Sequence, residues 1–207
     1  MFADDTAFWS SNKCPTRATA NIQQLLRKFE EWANKWRISP NPKKSQSILI
    51  SYPHAIPKQY AFSRTKLTLH NQPIPKQKTI KYLGITFSQT GSLLADLDLT
   101  LKKIRNRANL LYLIRGRIRG CNTETLLHTY KSFIRPVIEY RAPLYASLSQ
   151  RILNRILTSE RKILRRILKL DYKFPSSHVH TTAKTPTIAS RLTELQQKYI
   201  HRTLNSF

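Results

Sequence analysis

The sequence predicts an α+β protein, with strands and one helix up to about residue 90 and helices alone after it. Three patterns predict this. Short alternating apolar runs fall between residues 45 and 88. One amphipathic helical stretch precedes them. From residue 92 onward apolar residues recur at steps of three and four, the period of a helix with one buried face. With 207 residues and a 40% hydrophobic fraction, the chain has enough apolar mass for one domain or two small ones.

Phe2 and Ala3 lead into Asp4 and Asp5, and Thr6-Ala7-Phe8-Trp9 reads as a strand. Residues 16 to 37 carry Ile22, Leu25, Leu26, Phe29, Trp32 and Trp36 on one helical face, so Trp32 and Trp36 are expected in the core. Pro40 and Pro42 stop this helix. Ser45 to Tyr52 and Thr65 to His70 read as strands, and NQPIP is a turn. In Thr79 to Ser88, Leu83, Ile85 and Phe87 alternate with other residues. A boundary at Gln89-Thr90-Gly91 separates residues 1–90 from 91–207.

Helices are then expected over 92–118, around Leu126 to Ile134, over 148–170 and over 188–205, with a loop at 171–186. In the third of these, Ile152, Ile156, Ile163 and Ile167 run beside Leu153, Leu157, Leu164 and Leu168.

Charge is the strongest compositional signal. Thirty-six Lys and Arg stand against 11 Asp and Glu, for a net charge of +25. That favours a polyanionic partner, nucleic acid first. Between Lys102 and Lys169 there are 17 basic residues and three acids. Lys102, Lys103, Arg105 and Arg107, followed by Arg115, Arg117 and Arg119, are candidate nucleic-acid contacts. Each taken singly also suits a solvated helix face. The basic helix at 148–170 could instead lie on an anionic membrane or bind calmodulin. Basic residues on several helices favour nucleic acid over both.

Cys14 and Cys121 form neither a disulfide framework nor a zinc pattern. His178-Val179-His180 lacks a third ligand at suitable spacing and is read as loop without function. Met1 is followed by Asp4 and Asp5 rather than a signal sequence, and no apolar stretch reaches the ~20 residues of a membrane span. The expectation is an intracellular protein, nuclear or cytoplasmic, not secreted, without a membrane partner.

Phe2-Ala3-Asp4-Asp5 could bring two carboxylates to one turn. Their oxygens are the hard donors that Mg²⁺ prefers, and a pair of such ions can drive nucleotidyl transfer. An Asp-Asp dipeptide by itself more often marks a solvated loop. The order of the segments downstream of it changes that reading. FADDT resembles the [FY]-x-D-D motif of the reverse transcriptase palm. A helix ending at Trp36-Arg37-Ile38, then Asn41-Pro42-Lys43-Lys44-Ser45, resembles the next palm motif of non-LTR enzymes. Lys81-Tyr82-Leu83-Gly84-Ile85 resembles the K-Y-L-G-[IV] hairpin motif. Tyr130-Lys131-Ser132, Arg135-Pro136 and Glu139-Tyr140-Arg141-Ala142-Pro143 resemble the thumb and the segment beyond it in jockey-like elements.

The resemblance covers nearly the whole chain. It implies the C-terminal part of a non-LTR retrotransposon reverse transcriptase: a truncated palm of about four antiparallel strands plus one helix, then a helical thumb-like bundle. It implies Mg²⁺ (or Mn²⁺) held by Asp4 and Asp5, with Asp4 the more direct ligand, and Lys44 near the incoming triphosphate. It implies a primer grip at Tyr82, Leu83 and Gly84. RNA template, DNA primer and dNTP are the implied partners. Lys44 is equally consistent with a solvated lysine, and Gly84 with a bulge.

The family pattern also takes a metal-binding Asp and the fingers from upstream of the Asp-Asp motif, where this sequence has three residues. None of the nine other acids lies on a strand beside residues 4–9. The expectation is a polymerase fragment inactive alone. The alternatives are a non-catalytic basic module binding RNA or RNA–DNA duplex, and a piece of a larger polymerase completed in trans by its N-terminal part.

Overall fold

A computed structural model describes residues 5–51, 66–115, 120–171 and 173–205. The fold is α+β. The chain divides into two compact units, Met1–Asp96 and Leu97–Phe207.

In the first unit, helix α1 spans Pro15–Lys35. Pro15 opens it, where the missing N–H costs nothing. Its buried stripe is Ala18, Leu26 and Ala33. Trp32 and Trp36 are 41% and 63% exposed, contrary to the expected core placement. Trp36 is already the C-cap residue, so it has left the helical face. Trp32 sits at the margin of the stripe and stacks on Phe29 at 5.8 Å.

Strands β1 (Thr68–Leu69) and β2 (Gln72–Pro73) form one antiparallel pair, and β3 (Thr79–Tyr82) and β4 (Ile85–Ser88) another. The stretch 79–88 is thus a hairpin, as the K-Y-L-G-[IV] resemblance implies, and Leu83 sits in its turn. Both hairpins close through two residues at positive φ. His70 (49°) and Asn71 (59°) close the first, and Leu83 (47°) and Gly84 (76°) the second, the geometry that matches strand twist.

The Gln23 side chain pairs with the edge of β1, accepting from Thr68 N–H (2.9 Å) and donating to its carbonyl (3.0 Å). Glu30 accepts from His70 N–H at 2.6 Å. These bonds fix α1 against β1.

Two expected strands are not regular. Residues 6–12 have no strand, with only an isolated bridge at Asp5. Of 45–52, the described part makes one parallel bridge, Ser47 to Lys76. Its neighbour Pro75 supplies a carbonyl to Ser47 N–H (2.9 Å) but has no N–H to return, so the ladder cannot extend toward Ser45.

In the second unit, α2 (Leu94–Arg115, which starts in the first unit) buries Leu97, Ile104, Ala108 and Leu111. Helix α3 (Thr123–Thr129) is capped by Asn122, whose side chain accepts from Thr125 N–H at 2.7 Å. It runs into a π turn, Tyr130–Ile134, and α4 (Pro136–Glu139). Pro136 lacks the N–H that would continue the ladder, and Arg135 N–H bonds back to the Tyr130 carbonyl instead. Helices α5 (Ala142–Tyr145), α6 (Gln150–Leu168), α7 (Val179–Thr182) and α8 (Ile188–Leu204) complete the unit. Its core gathers Tyr130, Ile134, Tyr145, Ile156, Leu164, Ile167, Ile188 and Leu192. Among the described residues no helix is long and apolar enough to cross a membrane.

Candidate nucleic-acid interface

In the first unit, Asp4 lies outside the described residues, and Asp5 is exposed. The segment after Asp5 is held to α1 by Phe8, edge-on to Phe29 at 5.3 Å, while Trp9 is 83% exposed rather than packed. Lys44 is exposed in a turn shaped by Asn41, whose side chain accepts from Lys43 N–H at 2.9 Å. Among the described residues Asp5 and Lys44 share no hydrogen bond or ion pair, and no three His, Cys, Asp or Glu side chains converge as a metal cluster would require.

Tyr82 ends β3 opposite Ile85, and Leu83 and Gly84 form the turn between them. Gly84 accepts its φ freely. Leu83 at φ 47° is costly for a side chain of that size. Behind this hairpin, Asp96 is 1% exposed and accepts from Thr86 N–H of β4 at 2.9 Å. As an acid in the first turn of α2 it suits the helix dipole. The clamp on β4 carries no signal in the sequence, because Thr86 and Asp96 belong to different elements.

In the second unit, α2 and α6 flank a cleft of about 740 Å³. Arg105, Arg151, Arg155, Lys162 and Arg166 line it, with no acidic side chain among its lining residues. Tyr112 lies at one end with the Arg166 guanidinium 4.8 Å over its ring. Burial raises the Tyr112 phenol above its usual range, against the pull of Arg166. At the other end Arg155 pairs with Asp98 at 2.6 Å.

Lys102 and Lys103 are exposed on α2, outside this lining. Arg107 is engaged within the protein: its guanidinium lies 4.3 Å over Phe133 and donates to the Phe133 carbonyl. Arg115 closes α2 half-buried, and Arg117 and Arg119 lie outside the described residues. On α6, Arg165 donates to the Phe174 carbonyl (2.7 Å) and to Ser176 (2.9 Å), tying down the loop after the helix.

The motif residues of the helical region turn inward. Arg135 is 5% exposed, pairs with Glu139 at 2.9 Å and donates to the Pro186 carbonyl at 3.0 Å. Glu139 also meets Arg191 at 3.3 Å. Glu160, 2% exposed on α6, accepts from the Tyr130 hydroxyl (2.7 Å) and from Ile188 N–H (3.0 Å). His180 Nε2 is 3.6 Å from Glu160. His178-Val179-His180 thus lies at the start of α7, with His180 buried, where a featureless loop was expected. No periodicity argument finds such a cluster, because its members come from separate helices.

Burial pushes His180 below its ordinary value of 6.5, overriding the Glu160 carboxylate, and Arg161 and Arg135 add to the lowering. The unfolded chain therefore takes up a proton near pH 6.5 that the folded chain refuses. Stability is full above that pH and falls as pH drops through the lower folded value. Glu194, held at about 2 by hydrogen bonds from Lys198 and Arg191, titrates in a separate window below 4.5. Urea midpoints should therefore fall between pH 7 and pH 5, and His180→Phe should flatten that slope.

Three relatives align along almost the full chain. It is 26% identical over 205 residues to an RNA-directed DNA polymerase from mobile element jockey of Drosophila melanogaster, covering 97% of this chain and 21% of the relative. The jockey polymerase of Drosophila funebris is 23% identical over 205 residues, covering 99% and 22%. This chain is homologous to jockey-type RNA-directed DNA polymerases. A probable RNA-directed DNA polymerase from transposon X-element of Drosophila melanogaster is 20% identical over 201 residues, covering 97% and 21%. The chain spans about a fifth of the length of the curated relatives it matches. No protein-family model matches it, and no solved structure does.

Proposed function

We propose that this chain is part of a non-LTR reverse transcriptase, carrying the Asp-Asp segment of the palm and a helical, thumb-like region that holds RNA template and DNA primer. The observation that carries this reading is alignment of 97–99% of the chain with RNA-directed DNA polymerases. The basic cleft between α2 and α6 supports nucleic acid as partner. In this reading Asp4 and Asp5 contribute oxygens to Mg²⁺ (or Mn²⁺), Lys44 lies near the triphosphate of the dNTP, and the Tyr82-Leu83-Gly84 turn touches the primer end.

The fit to metal is partial. Asp5 is exposed and offers hard oxygen donors, and Mg²⁺ completes its octahedron with waters and substrate phosphates, but the family pattern adds a further metal-binding Asp from another palm strand, and none of the nine other acids is expected beside residues 4–9. The 207-residue chain should therefore not extend a primer by itself.

A chimera tests the reading. This chain replaces the homologous fifth of a jockey polymerase, and extension of oligo(dT) on poly(rA) is measured. The chimera should polymerise, and Asp4→Ala should cost at least roughly 10²–10³-fold, the scale of losing a preorganised charge-stabilising group. Full activity after Asp4→Ala would remove Asp4 from the site. Mg²⁺-dependent extension by the isolated chain, lost in Asp4→Ala, would show a complete centre.

The second reading is a basic module that binds nucleic acid without catalysis. The cations of the cleft favour it independently of Asp4. It predicts binding that is indifferent to Asp4→Ala.

A further inference from the structure

We infer that the cleft between α2 and α6 is a channel for one unpaired polynucleotide strand, its phosphates on Arg105, Arg151, Lys162 and Arg166 and a base against the Tyr112–Arg166 pair. The inference rests on the proposed nucleic-acid partner and narrows it from a duplex to a strand.

Two side-chain contacts bracket most of the cleft, Arg155 with Asp98 and Arg166 with Tyr112, and Arg151 lies one turn of α6 beyond the first. Both helices advance in the same direction from the first contact to the second. At about 1.5 Å per helical residue the brackets lie roughly 16–21 Å apart. A stacked strand advances about 3.4 Å per nucleotide, so the cleft spans about five nucleotides. Its volume of about 740 Å³ falls within the ~300–1,000 Å³ range of small-ligand sites, room for part of one strand and not for a duplex.

The chemistry of the lining matches. Four cations remain when Arg155 is assigned to Asp98, and they come from both walls, so a backbone laid between the helices meets charge on each side. Lys162 and Arg166 are four residues apart on α6 and share a face. Asn109, Asn154 and Thr158 add neutral polar groups along the same walls. An aromatic ring with a guanidinium plane over it is a platform on which unpaired bases stack, whatever their sequence. In a duplex the bases are stacked on each other and turned away from such a platform. Arg107 and Arg165, equally basic, are spent on internal carbonyls, whereas Arg105, Arg151, Lys162 and Arg166 share one cleft.

The test compares two four-fold variants of the full chain with equal loss of charge. One carries Arg105→Gln, Arg151→Gln, Lys162→Gln and Arg166→Gln. The other carries Lys131→Gln, Lys169→Gln, Lys184→Gln and Arg202→Gln, all outside the cleft lining. Far-UV circular dichroism confirms that each folds. Fluorescence anisotropy measures binding of labelled ten-nucleotide dT and rU strands, a blunt duplex and phosphatidylserine vesicles, across a salt series.

The cleft set should flatten the slope of log K against log salt by about 3 for single strands, at about 0.7 per lost phosphate contact. The outside set should flatten it by less than about 1. Tyr112→Leu should weaken strand binding by about 5–100-fold while Tyr112→Phe leaves it intact, a readout that survives even if the four-fold cleft variant unfolds. Preference for rU or dT identifies which strand the cleft takes, and either supports the inference. Equal losses in the two sets, or equal dependence of duplex or vesicle binding on the cleft set, would overturn the single-strand channel and leave general nucleic-acid binding standing. If the unaltered chain binds no nucleic acid at all, both the channel and the nucleic-acid reading fail.

Discussion

Glu160→Ala should cost the helical unit about 3–5 kcal/mol, the scale of breaking a buried charged or hydrogen-bonded pair from one side. Glu160 is 2% exposed, and its two oxygens serve two different elements. Oε1 accepts from the Tyr130 hydroxyl at the start of the π turn (2.7 Å), and Oε2 accepts from Ile188 N–H at the start of α8 (3.0 Å). His180 of α7 lies 3.6 Å from Oε2. Truncation to Ala strands the hydroxyl and the amide in the core and opens a cavity beside them. In the unaltered chain burial and the Glu160 carboxylate hold the Tyr130 phenol well above its usual range, so its hydroxyl stays a donor.

Glu160→Gln keeps the shape but turns one acceptor into a donor facing donors, so an intermediate loss of about 1–3 kcal/mol is expected. Tyr130→Phe combined with Glu160→Ala should cost less than the two separate losses together, since they remove one shared bond. Urea unfolding followed by far-UV circular dichroism measures all of these. A Glu160→Ala variant within about 1 kcal/mol of the unaltered chain would mean that the cluster does not hold the helices together.

Leu164→Ala should cost a similar amount, about 3–5 kcal/mol, through lost transfer energy and the cavity left behind. Leu164 is fully buried at 0% exposure, with Ile163 and Ile167 beside it. Leu153→Ala, nearer the start of the same helix, should cost about 1 kcal/mol, because Leu153 is only half-buried. The contrast matters because both belong to the leucine row of α6 and look equivalent in sequence. Unfolding midpoints for the two variants decide how burial is distributed along that row. Equal losses would mean that both positions are buried alike.

Much of the helical framework was legible beforehand. The steps of three and four that mark α1, α2, α6 and α8 are local, and each helix lies within a few residues of its expected span. The strands were less legible. Alternation is the same in a straight strand and across a two-residue turn, so the period alone did not mark Leu83, at φ 47°, as a turn residue, and only the hairpin resemblance pointed to it. Ser45 to Tyr52 has the composition of a strand, yet its described part forms only one bridge, and Pro75 has no N–H with which to extend it toward Ser45. Trp32 and Trp36 match the helical period but lie beside and beyond the narrow stripe of Ala18, Leu26 and Ala33.

The candidate site divides in the same way. The basic surplus and the motif order were open to inspection in the sequence, and they pointed to a polynucleotide partner and a family. Which cations line one cleft was not. Arg105 and Arg107 stand two residues apart on α2 with identical chemistry. One lines the cleft opposite α6, while the other is taken up by Phe133, 26 residues further on.

By itself, then, the sequence determined what depends on neighbours along the chain: helical spans, the change of character near residue 90, the sign of the charge. Only the tertiary structure decided what depends on neighbours across it, namely Glu160 meeting Tyr130 and Ile188, Asp96 meeting Thr86, and four cations meeting over one cleft. The physical reason is reach. A backbone period constrains which face a side chain occupies, whereas a buried hydrogen bond or an ion pair is set by whichever distant group the packed helices bring within about 3 Å.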